Sequence, residues 1–82
     1  KAIDVCLRLN LRAKNLLIEE FPRAKDYIVK ESNDNSWLLT TQVYNLAGVA
    51  RFYMGLANSI QIVSAPELVE YIKEFCKAYL KL

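Results

Sequence analysis

Apolar and polar residues alternate through AIDVCLRLN, where Ile3, Val5, Leu7 and Leu9 are interleaved with Asp4, Cys6, Arg8 and Asn10. A period of two gathers the apolar side chains on one face, which predicts a strand with one buried face and one polar face. The period then changes. LRAKNLLIEEF brings Ala13, Leu16, Leu17 and Phe21 to one side of a helix, with Asn10 as its N-cap. Pro22 ends that helix because proline disfavours helical geometry in the residue before it.

YIVKES, rich in β-branched and aromatic residues, reads as a short strand, and NDNS after it as a turn cluster. Trp37 to Asn45 is the returning strand of a hairpin. In LAGVARFYMGLAN, Leu46, Val49, Tyr53, Leu56 and Ala57 recur at three- and four-residue steps, and Asn58 supplies an end signal. Gly48 and Gly55 fall inside this helix at about 1 kcal/mol each relative to alanine, which predicts close packing of the helix on the sheet. SIQIVS is extended again. Pro66 launches a last helix with an apolar stripe of Leu68, Ile72, Phe75, Tyr79 and Leu82, and with Glu67, Glu70, Lys73, Glu74 and Lys77 on its solvated side. Acids lead and bases trail, complementing the helix dipole.

The order is β-α-β-β-α-β followed by a helix. Right-handed crossovers set the first and third strands side by side in the middle, so the predicted fold is α+β: a ferredoxin-like split βαβ sandwich with an extra C-terminal helix. The first two helices cover one sheet face. The other stays open unless the last helix, a neighbouring domain or a second copy covers it.

At 82 residues the chain has room for a single domain with one core. A composition 54% hydrophobic and 24% charged is too apolar for a disordered tail and too evenly charged for a membrane protein. No apolar run approaches the roughly 20 residues of a membrane span, and no signal peptide opens the chain, so the expected setting is cytoplasmic. Cys6 and Cys76 then read as free thiols at small buried apolar positions. The net charge of +2 announces no nucleic-acid partner by itself.

Chemistry is sparse. The chain has no histidine, the commonest general base and metal ligand near neutral pH, and neither cysteine belongs to a C-x-x-C pair. No catalytic, cofactor or metal residues are therefore assigned, and the two glycines, lying in a helix, cradle no phosphate. Glu19, Glu20, Asp26, Glu31 and Asp34 read as solvated surface. Among the bases, Arg8 on the polar side of the first strand, with Arg12 and Lys14 just beyond, can form a patch beside aromatic residues of the hairpin. Such a sheet can stack bases and neutralise phosphates. Trp37, Tyr27, Tyr44 and Tyr53 are of a kind that more often serves as core or interface anchors than as stacking platforms, and the K/R-G-F/Y pattern of an RNA-recognition strand is missing. Arg51 is either a solvated helix arginine or a planar fork for a carboxylate or phosphate at a domain interface.

The run through Asn45, Gly48, Arg51, Phe52, Gly55, Leu56, Ile60, Ile62, Ser64, Pro66, Glu67 and Leu68 resembles the C-terminal extension (WCX) that follows the WYL domain in bacterial transcriptional regulators. The likeness spans nearly the whole chain, with its distinctive part in the second half. One departure is the turn before Pro66, lengthened by Ser64 and Ala65. In that family a DNA-binding winged helix precedes an Sm-like WYL domain, and the extension, ferredoxin-like in fold, follows. The resemblance implies a cytoplasmic, non-catalytic regulatory module that contributes to effector sensing and to dimer or interdomain contacts. Its implied partners are an upstream WYL domain and winged helix, a second subunit, and a nucleic-acid or nucleotide-like effector. The chain carries neither the winged helix nor the WYL triplet, and its start at Lys1 fits a piece from the C-terminal part of something longer. Arg8, Arg12 and Arg51 are the candidate effector or interface residues. The alternative is a module whose sheet binds single-stranded nucleic acid directly, with a small-molecule domain of the amino-acid-sensing type as a third possibility.

Overall fold

A computed structural model describes residues 1–32 and 35–81. Strand β1 (Ile3–Leu9) leads into helix α1 (Leu11–Glu20), a 3-10 segment (Pro22–Tyr27) and strand β2 (Ile28–Lys30). Strand β3 (Trp37–Val43), helix α2 (Leu46–Gly55), a 3-10 turn (Ala57–Ser59), strand β4 (Ile60–Ser64) and helix α3 (Pro66–Leu80) follow. The four strands form one sheet in the order β2-β3-β1-β4, and the paired neighbours are all antiparallel. This is the expected ferredoxin-like arrangement plus a C-terminal helix, with β1 and β3 at its centre.

Alternation decides the two faces. Val5, Leu7 and Leu9 are buried and pair in register with Thr41, Leu39 and Trp37, so the inward rows of β1 and β3 coincide. Ala13 and Leu17 of α1, Ala50 and Phe52 of α2, Ile60, and Leu68 of α3 complete the core above them. Asn10 caps α1 by accepting from the Ala13 N–H at 2.9 Å, satisfying one of the donors that a helix start leaves orphaned. Between β1 and β4 the register shifts where Cys6 pairs with Ser64 but Leu7 with Ile62. Val63 is the extra residue of this bulge.

Several sequence expectations are corrected. Strand β3 stops at Val43, because Asn45 turns its side chain to the Ala47 N–H at 2.7 Å and caps α2 instead of ending the strand. Strand β2 is only Ile28–Lys30, since Pro22 starts a 3-10 segment that absorbs Tyr27. Helix α2 ends at Gly55, so Asn58 falls in the following 3-10 turn and Ala57 is exposed. The glycines do not mediate close packing: neither has positive φ, and a Cβ at Gly48 or Gly55 would meet no atom within 4 Å. Cys6 is half-buried on the face away from the core and Cys76 is exposed, so neither fills a core position; both are free thiols. Of the turn cluster, Asn33 and Asp34 lie outside the described residues, as does Leu82 of the last stripe.

Candidate interaction surfaces

The sheet face opposite the helices is built from Asp4, Cys6 and Arg8 of β1 and their partners Gln42, Thr40 and Leu38 of β3. Gln61 of β4 and Val29 of β2 flank them. Helix α3 does not cover this face. It packs beside α2, and Asp4, Thr40, Gln42 and Gln61 remain exposed. Cross-strand partners bind each other here, with the Gln42 amide donating to Asp4 Oδ1 at 2.8 Å and Cys6 Sγ lying 3.7 Å from Thr40 Oγ1. The face is polar and tolerates water.

Arg8 anchors one end of it. Its Nε donates to Glu31 Oε1 at 2.8 Å and its Nη2 to Oε2 at 3.0 Å, a bidentate fork, while Nη1 donates to Gln61 Oε1 at 3.1 Å. The hydroxyl of buried Ser36 adds a 2.7 Å bond to Glu31 Oε1. The hydrogen bonds from Arg8, then the one from Ser36, hold the Glu31 carboxyl down at about 2 against an ordinary 4.5, more than offsetting its partial desolvation. Glu31 is thus a bound partner and not the solvated carboxylate expected. An anion approaching Arg8 has to compete with it.

The three candidate arginines do not converge. Arg12 is exposed in the first turn of α1, and Arg51 sits on α2, on the other side of the sheet from Arg8. Arg51 Nη2 donates to Glu20 Oε2 at 2.9 Å, so its fork meets a carboxylate of its own chain in an exposed pair worth at most about 1 kcal/mol. Nor do the hairpin aromatics join Arg8. Trp37 lies on the helical side, where Lys14 Nζ is 5.0 Å and Lys30 Nζ 5.4 Å from its ring centroid. Two exposed rings, Tyr27 and Tyr44, border the far end of the open face, where they line a shallow depression with Asp4, Thr40 and Gln42.

Exposed apolar surface is concentrated elsewhere. Leu68 of α3 is fully buried and Ile72 half-buried, but the same stripe continues through Phe75, 44% exposed, and Tyr79, 67% exposed, with Leu80 beside it. Phe75 and Tyr79 touch, their ring centroids 5.7 Å apart. A groove of about 410 Å³ separates Tyr71, Phe75 and Tyr79 from Ala47, Ala50, Arg51 and Met54 of α2. The sequence pattern places Phe75 and Tyr79 on the apolar stripe of the last helix, and the structure adds Tyr71 and Met54 to the same surface. Helix lengths carry the missing signal: at 1.5 Å per residue the 10 residues of α2 reach about 15 Å and the 15 of α3 about 22 Å. The small side chains of Ala47 and Ala50 leave the groove between the two helices unfilled, and the longer α3 has more stripe than α2 can cover.

No residue group among the described residues has the make-up of a metal site, and none of their helices is long and apolar enough to cross a membrane. No family model matches the chain, and no curated protein and no solved structure matches it.

Proposed function

We propose that the chain is a non-catalytic regulatory and interaction module, of the kind that follows the WYL domain in cytoplasmic bacterial transcriptional regulators. In this reading α3 pairs with the α3 of a second copy. The observation that carries it is the aromatic stripe of α3, left exposed along a groove that α2 does not fill. Aromatic anchors of this kind dominate interface energetics when they are desolvated together. Charge favours a second copy as the occupant. Glu67, Glu70 and Glu74 lead the helix and Lys73, Lys77 and Lys81 trail it, so antiparallel pairing about a two-fold axis sets acids beside the partner's bases, whereas parallel pairing sets like against like. Arg51, on the rim of the groove, is the one candidate arginine placed to touch that partner. An effector would act by binding one arrangement of the paired modules more tightly than another.

Sedimentation equilibrium of the 82-residue chain tests the pairing. The chain is expected to self-associate reversibly, and Phe75→Glu with Tyr79→Glu to be a folded monomer. A wild-type chain that stays monomeric at millimolar concentration refutes it. Direct single-stranded nucleic-acid binding has weaker support, because Arg8 is already held by Glu31 and the exposed Tyr27 and Tyr44 stand at the opposite end of the face from it.

A further inference from the structure

Between the 3-10 segment 22–27 and the first turns of α2, the inner sheet face borders a cavity of about 260 Å³. Leu7, Leu39, Thr41 and Val43 line it from the strands, Phe21 after α1 and Phe52 of α2 meet edge to face beside it with centroids 6.3 Å apart, and the exposed Tyr27 and Asn45 border it on the solvent side. Gly48 also borders it, and a Cβ there would meet nothing within 4 Å, so the chain leaves this space unfilled. No Asp, Glu, Lys or Arg is among the lining residues. Thr41 interrupts the apolar inward row of β3 between Leu39 and Val43, and among the described residues its hydroxyl makes only a marginal, exposed 3.5 Å contact to the Gln42 carbonyl.

We infer that this cavity binds a small uncharged aromatic molecule carrying one hydrogen-bonding group, which the Thr41 hydroxyl meets. Charge is disfavoured because the apolar wall strips part of an ion's hydration and no charged side chain lines the site to replace it. Size sets the ring system: a dry cavity of roughly 150 Å³ takes benzene, so this one suits a bicyclic ring. A wholly apolar ligand would leave the inward hydroxyl of Thr41 without a good partner. The site lies apart from the α3 stripe and does not depend on the pairing proposed above.

Indole is the probe, titrated into the isotope-labelled chain and followed by amide shifts. Saturable shifts at Thr41, Asn45 and Gly48 are expected, with a dissociation constant on the order of 1 mM or tighter, whereas benzoate gives none. Gly48→Leu fills the space and weakens indole by at least about tenfold while the circular dichroism spectrum stays folded. Gly48→Ala, which adds one methyl group and raises helix propensity, weakens it severalfold and serves if the leucine variant does not fold. Thr41→Val weakens indole about threefold to tenfold by removing the hydrogen bond. The proposal is overturned by non-saturable shifts, by shifts confined to α3, by equal binding of benzoate, or by a folded Gly48 variant that binds indole as the wild type does.

Discussion

Helix α3 has two halves with different roles, and substituting one residue in each separates them. Leu68 is fully buried, whereas Phe75, on the same stripe, is 44% exposed. Leu68→Ala removes buried methyl and methylene groups and leaves a hole that the surrounding sheet and helices fill only in part. Such changes cost about 2–5 kcal/mol, and complete burial argues for about 3–4. A domain of this size holds roughly 4–12 kcal/mol in total, so the loss is a large share of its stability. With a urea slope of about 1 kcal/mol per molar, the unfolding midpoint falls by about 3 M. Phe75→Ala deletes more carbon atoms from the stripe, yet at low micromolar concentration it shifts stability by less than about 1 kcal/mol, because the folded monomer only half-buries the ring. Urea unfolding followed by far-ultraviolet circular dichroism reads both. A Leu68→Ala loss below about 1 kcal/mol, or a Phe75→Ala loss as large as that of Leu68→Ala, refutes the division of the helix.

The carboxyl of Glu31 sits at about 2 when folded and 4.5 ordinarily, so between those values the unfolded chain binds the extra proton. Its contribution to stability is therefore complete above about pH 4.5 and is lost as pH falls toward 2; a Glu31→Gln variant should show a flatter acid-unfolding profile in that window. Arg8→Ala removes the main cause of the depression, and carboxyl titration by NMR should show Glu31 moving back toward its ordinary value. Asn10→Ala strips the cap of α1 and should lower stability by about 1 kcal/mol in thermal unfolding, against a near-neutral Arg12→Ala control.

Most of the architecture was legible in the sequence because local pattern and tertiary packing agree. The alternation in β1 fixes which face is buried, Asn10 and Pro22 bracket α1, and the short connections leave one economical topology. The misreadings share a physical cause: each concerns what a side chain touches across space. Asn45 reads equally well as a strand residue or a cap until α2 is placed. The periodicity of α3 gives the direction of its stripe and not how much of it is received by the rest of the chain, so the exposure of Phe75 and Tyr79 is not legible there. Gly48 suggests a close approach, whereas the chain above the sheet is short of material there. Arg8 was identified as a polar-face residue, but its partner Glu31 lies across the hairpin, a pairing fixed only by the β2-β3-β1 register.

The central claim, that the outer half of α3 is a surface for a second copy, is tested most directly by isotope-filtered nuclear Overhauser spectra on a mixed labelled and unlabelled sample. Cross-peaks from the Phe75 and Tyr79 rings of one copy to α3 of the other are predicted, with Glu70 near the partner's Lys81. Intermolecular peaks confined to the sheet edges, at Val29 or Val63, or their complete absence at millimolar concentration, contradict it.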